Sequence, residues 1–208
     1  MLRTRIISAA VLLVLVAVPA ILGGLPFLLL IGLIGGLAAW EYANLLRQGG
    51  HHPSLPLCVL ITLIFIAQAY WPGILPLQLV LTLAVAGTLL AALWHNRPEP
   101  ITDWALGLGG ALYFGVMLGH FVLLRNLNQG VGWLLIGALS IFAADSGAYF
   151  AGRAFGRHPW WPRHSPKKTW EGYLAGAAAS GLAAALLGAW LLGISPVEGA
   201  LLGLLIGL

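Results

Sequence analysis

Residues 6–40 read IISAAVLLVLVAVPAILGGLPFLLLIGLIGGLAAW and carry no charged side chain. A single helix of that length would run about 50 Å, against a hydrocarbon core of roughly 30 Å. Gly23-Gly24-Leu25-Pro26 therefore divides the run into two apolar spans joined by a tight turn. Lipid leaves no water for backbone N–H and C=O groups, so only helices or a closed barrel cross it. The apolar runs do not alternate with polar residues, and their length of about 17–22 residues selects helices. Arg3 and Arg5 before an apolar stretch have the form of a signal peptide. Pro19-Ala20-Ile21-Leu22 offers no small-residue cleavage pattern, so a retained first span is expected.

The same texture continues outward. The chain has 208 residues, is 60% hydrophobic and only 8% charged, where a soluble domain is about a quarter charged. The second span ends at Trp40-Glu41-Tyr42, with Arg47 beyond it, and a Gly- and Pro-containing loop covers 48–56. Further spans are expected over 57–71, 74–94, 104–124, 131–150 and 173–193, with another starting at Val197 after Ser195-Pro196. The expected fold is an all-α, polytopic helical membrane bundle of about seven complete spans plus the start of an eighth, forming one membrane domain over 1–208. With the N-terminus cytoplasmic, Arg3, Arg5, Arg47, Arg97 and five cations of the 151–172 connector fall inside, nine of the ten lysines and arginines. Only Arg125 falls outside, as an outer-surface charge. The net charge of +4 is thus a positive-inside bias, and no nucleic acid is expected as a partner. Cys58 sits alone in an apolar run and cannot form an intrachain disulfide.

Charge accumulates in one place. Asp145 to Gly172 reads DSGAYFAGRAFGRHPWWPRHSPKKTWEG and holds Arg153, Arg157, Arg163, Lys167 and Lys168. Ser165 is a favoured N-cap and Pro166 a favoured first helical residue, so a helix is expected to start at Pro166. Lys167 and Lys168 then sit in a first turn, where the helix dipole disfavours cations. Two ammonium groups beside unpaired N–H donors would cradle phosphate; as simple anchors they would snorkel to lipid head groups. Asp145 lies inside an apolar run, where an ionisable group is costly. Asp145, Tyr149 and Arg153 share one helical stripe, which suits either a hard-cation ligand such as one for Mg²⁺ or a helix staple. Small residues recur every four positions at Ala144, Ala148, Gly152 and Gly156, and again at Gly172, Gly176, Ser180, Ala184 and Gly188. Such rows let helices approach closely and would bring Asp145 toward the lysines. His51-His52 reads as a solvated loop, Trp160-Trp161 as an interfacial anchor, and Glu41 as either an interfacial residue or a cavity lining. Walker, nucleophile-elbow, H-E-x-x-H and C-x-x-C motifs are absent.

DSGAYFAGR at 145–153, Phe155-Gly156 and SPKKTWEG at 165–172 resemble the phosphatidate cytidylyltransferases, or CDP-diacylglycerol synthases. The resemblance is strong over this 28-residue connector and looser over the preceding spans. It implies transfer of CMP from CTP to phosphatidate with Mg²⁺ as cofactor, in membrane lipid synthesis, at the cytoplasmic side of a bacterial inner membrane. It also leaves room for a homodimer. It implies that Lys167 and Lys168 hold phosphates, Ser165 and Thr169 orient them, and Asp145 helps bind metal. Arg153 would contact a substrate phosphate or Asp145, and Glu171 would hold Lys167 or Lys168. The family carries a second, acidic motif further on. The chain stops at Leu208 before it, so either the family domain is expected to continue or this chain lacks much of the metal site. Other classes considered are a related lipid kinase or CTP transferase, an anion transporter, and a non-catalytic remnant. A transporter should show paired broken helices in both halves, and only one charged connector is present.

Overall fold

The computed structural model describes residues 2–74, 76–94, 98–163 and 165–208, with side chains from Ile6 onward except Pro166. Arg97, which entered the topology reading, lies outside the described residues. The elements are α1 (Leu2–Leu22), α2 (Gly24–Gln48), α3 (Leu55–Tyr70), α4 (Leu77–Trp94), α5 (Pro100–Arg125), α6 (Gly130–Phe155), β1 (Pro159–Trp161), β2 (Ser165–Thr169), α7 (Trp170–Leu192) and α8 (Pro196–Gly207). Five helices, α2, α4, α5, α6 and α7, are long and apolar enough to cross a membrane; Ile6–Leu22, α3 and α8 are shorter apolar helices. The protein is an integral membrane protein. Several helices run past the expected apolar limits: α2 continues to Gln48 and α6 to Phe155. Hydropathy marks what tolerates lipid, whereas the helical hydrogen-bond ladder continues through Glu41, Arg47 and Arg153.

The chain packs as two compact units, 1–127 and 128–208. In the first, glycines on α5 let α3 lie close. A Cβ at Gly115 would come within 2.8 Å of the Phe65 side chain. Thr62 Oγ1 donates to the Ala111 carbonyl at 3.2 Å, giving a buried hydroxyl its partner. Ile61, Phe65, Val80, Ala84, Leu108 and Ala111 form a core cluster. Gly23 takes φ +67°, and the expected helix break falls there. Arg125 is half-buried and donates to the Ala20 and Ile21 carbonyls. It therefore satisfies the open end of α1, which corrects its reading as a plain surface charge. The His51-His52 loop is likewise pinned. Asp103, only 6% exposed, accepts the His52 backbone N–H at 2.7 Å.

In the second unit, α6 and α7 meet backbone to backbone. A Cβ at Gly172 would lie 2.9 Å from the Ala148 carbonyl, and one at Gly176 would lie 2.9 Å from that of Ala144. The small-residue row of α7 is divided between two neighbours. Its first half faces α6, while Ser180 donates to Gly203 of α8 at 2.6 Å and Gly203 also crowds Ala184. α8 starts with a reciprocal cap: Ser195 Oγ accepts the Glu198 N–H at 3.2 Å, and Glu198 accepts the Ser195 N–H at 3.0 Å.

The fold is all-α as expected; within it the connector forms a short hairpin, β1 and β2 paired antiparallel with Pro159 opposite Thr169 and Trp161 opposite Ser165. The connector corrects one expectation. No helix begins at Pro166. Lys167 and Lys168 lie on β2, and α7 begins at Trp170 with Thr169 as its N-cap. Lysines at the positive end of a helix dipole are unfavourable, while an extended backbone there avoids that repulsion.

Candidate active site

The site assembles from the facing ends of α6 and α7 and the hairpin between them. A cleft of about 760 Å³ is lined by Asp145, Tyr149 and Arg153 from α6 and by Lys167 and Lys168 from β2, with Thr169, Gly172 and Tyr173 at the start of α7. That volume suits a ligand of nucleotide size. The small-residue contact between α6 and α7 explains the convergence. With no side chain at Gly152 and Gly172, the helices approach closely enough to place the α6 stripe beside the lysine strand.

Each expected site residue has a definite place. Asp145 is exposed to the cleft about 15 Å along the helix axis from the Phe155 end of α6. Arg153 donates Nη1 to the Tyr149 hydroxyl at 3.0 Å, so the stripe is joined through Tyr149 and not by an Arg153–Asp145 pair. Lys167 and Lys168 are exposed and border the cleft. Thr169 Oγ1 accepts the Gly172 N–H at 3.3 Å, which fixes its hydroxyl at the cleft wall as a helix cap. Ser165 lies at the far end of β2, opposite Trp161, and is not among the residues lining the cleft.

Glu171 also lies outside that lining and does not hold the lysines. Its Oε1 faces His158 Nδ1 at 2.6 Å, and its Oε2 accepts the N–H groups of Arg157 and His158 at 3.2 and 3.3 Å. The expected Glu171–lysine pairing is thereby corrected: extended residues do not share a helical face with Glu171, so the i, i+3 and i, i+4 spacing no longer applies. Two residues, one lining the cleft and one outside it, were not anticipated. Tyr173 lines the cleft and stacks on Trp160, with centroids 4.6 Å apart and planes at 23°. His158 meets Glu171 across 13 positions. A lone histidine and a tyrosine in an apolar helix leave no pattern in sequence.

Asp145 is the one acidic side chain lining the cleft among the described residues. No group of three or more His, Cys, Asp or Glu stands together among them. One carboxylate with substrate phosphates is a common Mg²⁺ environment, so the donor set fits a metal brought in with a polyphosphate better than a preformed protein cage. A second, smaller cavity of about 90 Å³ in the first unit is lined by Asp103, Thr88 and Trp104, with no lysine or arginine among the described residues.

Comparison with known proteins finds relatives among the cytidylyltransferases. The chain is 34% identical over 189 residues to the phosphatidate cytidylyltransferase of Pseudomonas aeruginosa, covering 86% of this chain and 67% of that protein. It is 30% identical over 181 residues to that of Bacillus subtilis, covering 83% and 65%. The Mycobacterium tuberculosis protein of the same name is 41% identical over 93 residues, covering 44% and 26%. The chain thus spans about two thirds of the length of the first two relatives. No solved structure matches. A sequence model of the cytidylyltransferase family matches residues 3–208, nearly every position of the chain, and the chain belongs to that family.

Proposed function

We propose that this chain binds CTP and phosphatidate and carries the cationic part of a phosphatidate cytidylyltransferase site. The observation that supports it most is the grouping of Lys167, Lys168, Arg153 and Asp145 around one cleft of nucleotide size. In the reaction, an anionic oxygen of the lipid phosphate attacks the α-phosphorus of CTP. The new P–O bond forms as the bond to the β-phosphate oxygen breaks, and pyrophosphate leaves with the electron pair. Transfers of this kind depend on positioning and charge neutralisation. Lys167 and Lys168 hold the phosphates, and Arg153, steadied by Tyr149, binds a further phosphate oxygen. Thr169 orients them from the helix cap. Ser165, outside the cleft lining, contributes through the strand that carries the lysines. Asp145 would hold Mg²⁺ together with phosphate oxygens, and the ion would offset charge gathering on the triphosphate.

The site lies on the cytoplasmic side in this reading. Seven complete spans and the start of an eighth, with the N-terminus inside, keep nine of ten lysines and arginines inside. Cytosolic CTP and an inner-leaflet lipid phosphate then meet at the membrane surface.

The test is CTP- and phosphatidate-dependent turnover in membranes holding the full-length protein. Lys168→Ala and Asp145→Asn should each lower kcat/KM by about 10²-fold, the scale of losing one charge-stabilising group, with normal membrane insertion. Wild-type turnover in both variants overturns the site.

A further inference from the structure

The hairpin that carries the lysines is held shut from one side by a contact outside the cleft. Its first arm leaves Gly156, and at Arg157 and His158 two successive backbone N–H groups donate to one carboxylate oxygen of Glu171. The other oxygen faces His158 Nδ1 at 2.6 Å. The His158 carbonyl in turn accepts the Trp170 N–H at 3.0 Å. His158 is therefore tied to the first turn of α7 through backbone donor, backbone acceptor and side chain. The next residue, Pro159, pairs in register with Thr169, directly after Lys168. One step further, Trp160 stacks on Tyr173.

We infer that His158 is a positioning residue: its clasp on Glu171 holds β1 against α7, and β1 holds the lysine strand β2 in its substrate-ready place. The His158 side chain is 78% exposed. Its removal leaves no cavity in the core, and packing is not its purpose. What it supplies is directional, an N–H donor aimed at a carboxylate that already collects two backbone donors. Without it the hairpin opens part of the time, and only the closed fraction presents both lysines. Apparent affinity falls in proportion to that fraction, while the closed form reacts at its normal rate. This rests on the reading of Lys167 and Lys168 as phosphate-binding groups.

The experiment uses the full-length protein in membranes and two readouts. The first is limited trypsin digestion without substrate, following cleavage after Arg157, Arg163, Lys167 and Lys168. His158→Ala should speed cleavage about fivefold or more, since digestion tracks the open population. His158→Asn, whose amide nitrogen can stand where Nδ1–H stands, should restore protection, while His158→Phe should not. The second is steady-state kinetics: His158→Ala should raise KM for CTP about fivefold with kcat within twofold, again reversed by Asn. Equal cleavage of wild type and His158→Ala overturns the clasp whatever the protein's activity. Faster cleavage with unchanged KM overturns the positioning role. A wild type that turns over no CTP overturns the cytidylyl-transfer reading, and the clasp is then judged by digestion and its rescue by Asn alone.

Discussion

Two Ser-Pro pairs in the second unit have opposite outcomes. Ser195-Pro196 starts a helix and Ser165-Pro166 starts a strand. Both place a good cap before a residue with a helical φ already set. They differ three positions on. After Ser195 comes Glu198, whose carboxylate accepts the Ser195 N–H and favours the positive end of the dipole. After Ser165 comes Lys168, which has no acceptor to return and is repelled there. The backbone stays extended for four more residues until Thr169 caps α7, now with Glu171 in the first turn. The two pairs thus share the cap and differ in the sign of charge in the first turn. The extended backbone also changes the site: the lysines border an open cleft from a strand instead of crowding a helix end.

The comparison can be broken most severely at Lys168. Lys168→Glu supplies the acid that the first Ser-Pro lacks and removes a cleft cation. Turnover should fall by at least about 10²-fold, and amide exchange at 167–169 should slow as α7 extends backward. Unchanged exchange would show that the hairpin pairing, not the lysine charge, keeps the segment extended. The converse change, Glu198→Lys, should cost about 1–2 kcal/mol by removing one arm of the box and opposing the dipole, read from thermal unfolding in detergent with turnover as a control. The smallest effects separate the true cap from the apparent one. Thr169→Ala should lose about 1 kcal/mol, whereas Ser165→Ala should stay within about 0.5 kcal/mol.

Helix register was legible where composition alone decides it. The small residues at Gly172 and Gly176 do face α6, because close approach in lipid needs small side chains wherever it occurs. That Ser180 and Ala184 of the same row turn to α8 was not legible, since the row is alike along its length and only the partner differs. Arg125 shows the same limit. Its sequence neighbours make it a turn charge, yet its guanidinium meets carbonyls more than 100 positions away. Among the site residues, Asp145, Arg153, Lys167, Lys168 and Thr169 were anticipated at the cleft and line it. Ser165 and Glu171 were anticipated there and do not.

A helical membrane protein was already legible in composition, because the 35 uncharged residues from Ile6 to Trp40 do not alternate with polar ones and satisfy their backbone in lipid as helices. Composition also marked the 145–172 segment, because charge in so apolar a chain is costly and therefore conspicuous. The shape of that segment came from packing. A five-residue strand is too short for a readable period. The hairpin that carries it is held by contacts of His158 with Glu171 and of Trp160 with Tyr173, between residues 13 positions apart that no local pattern links.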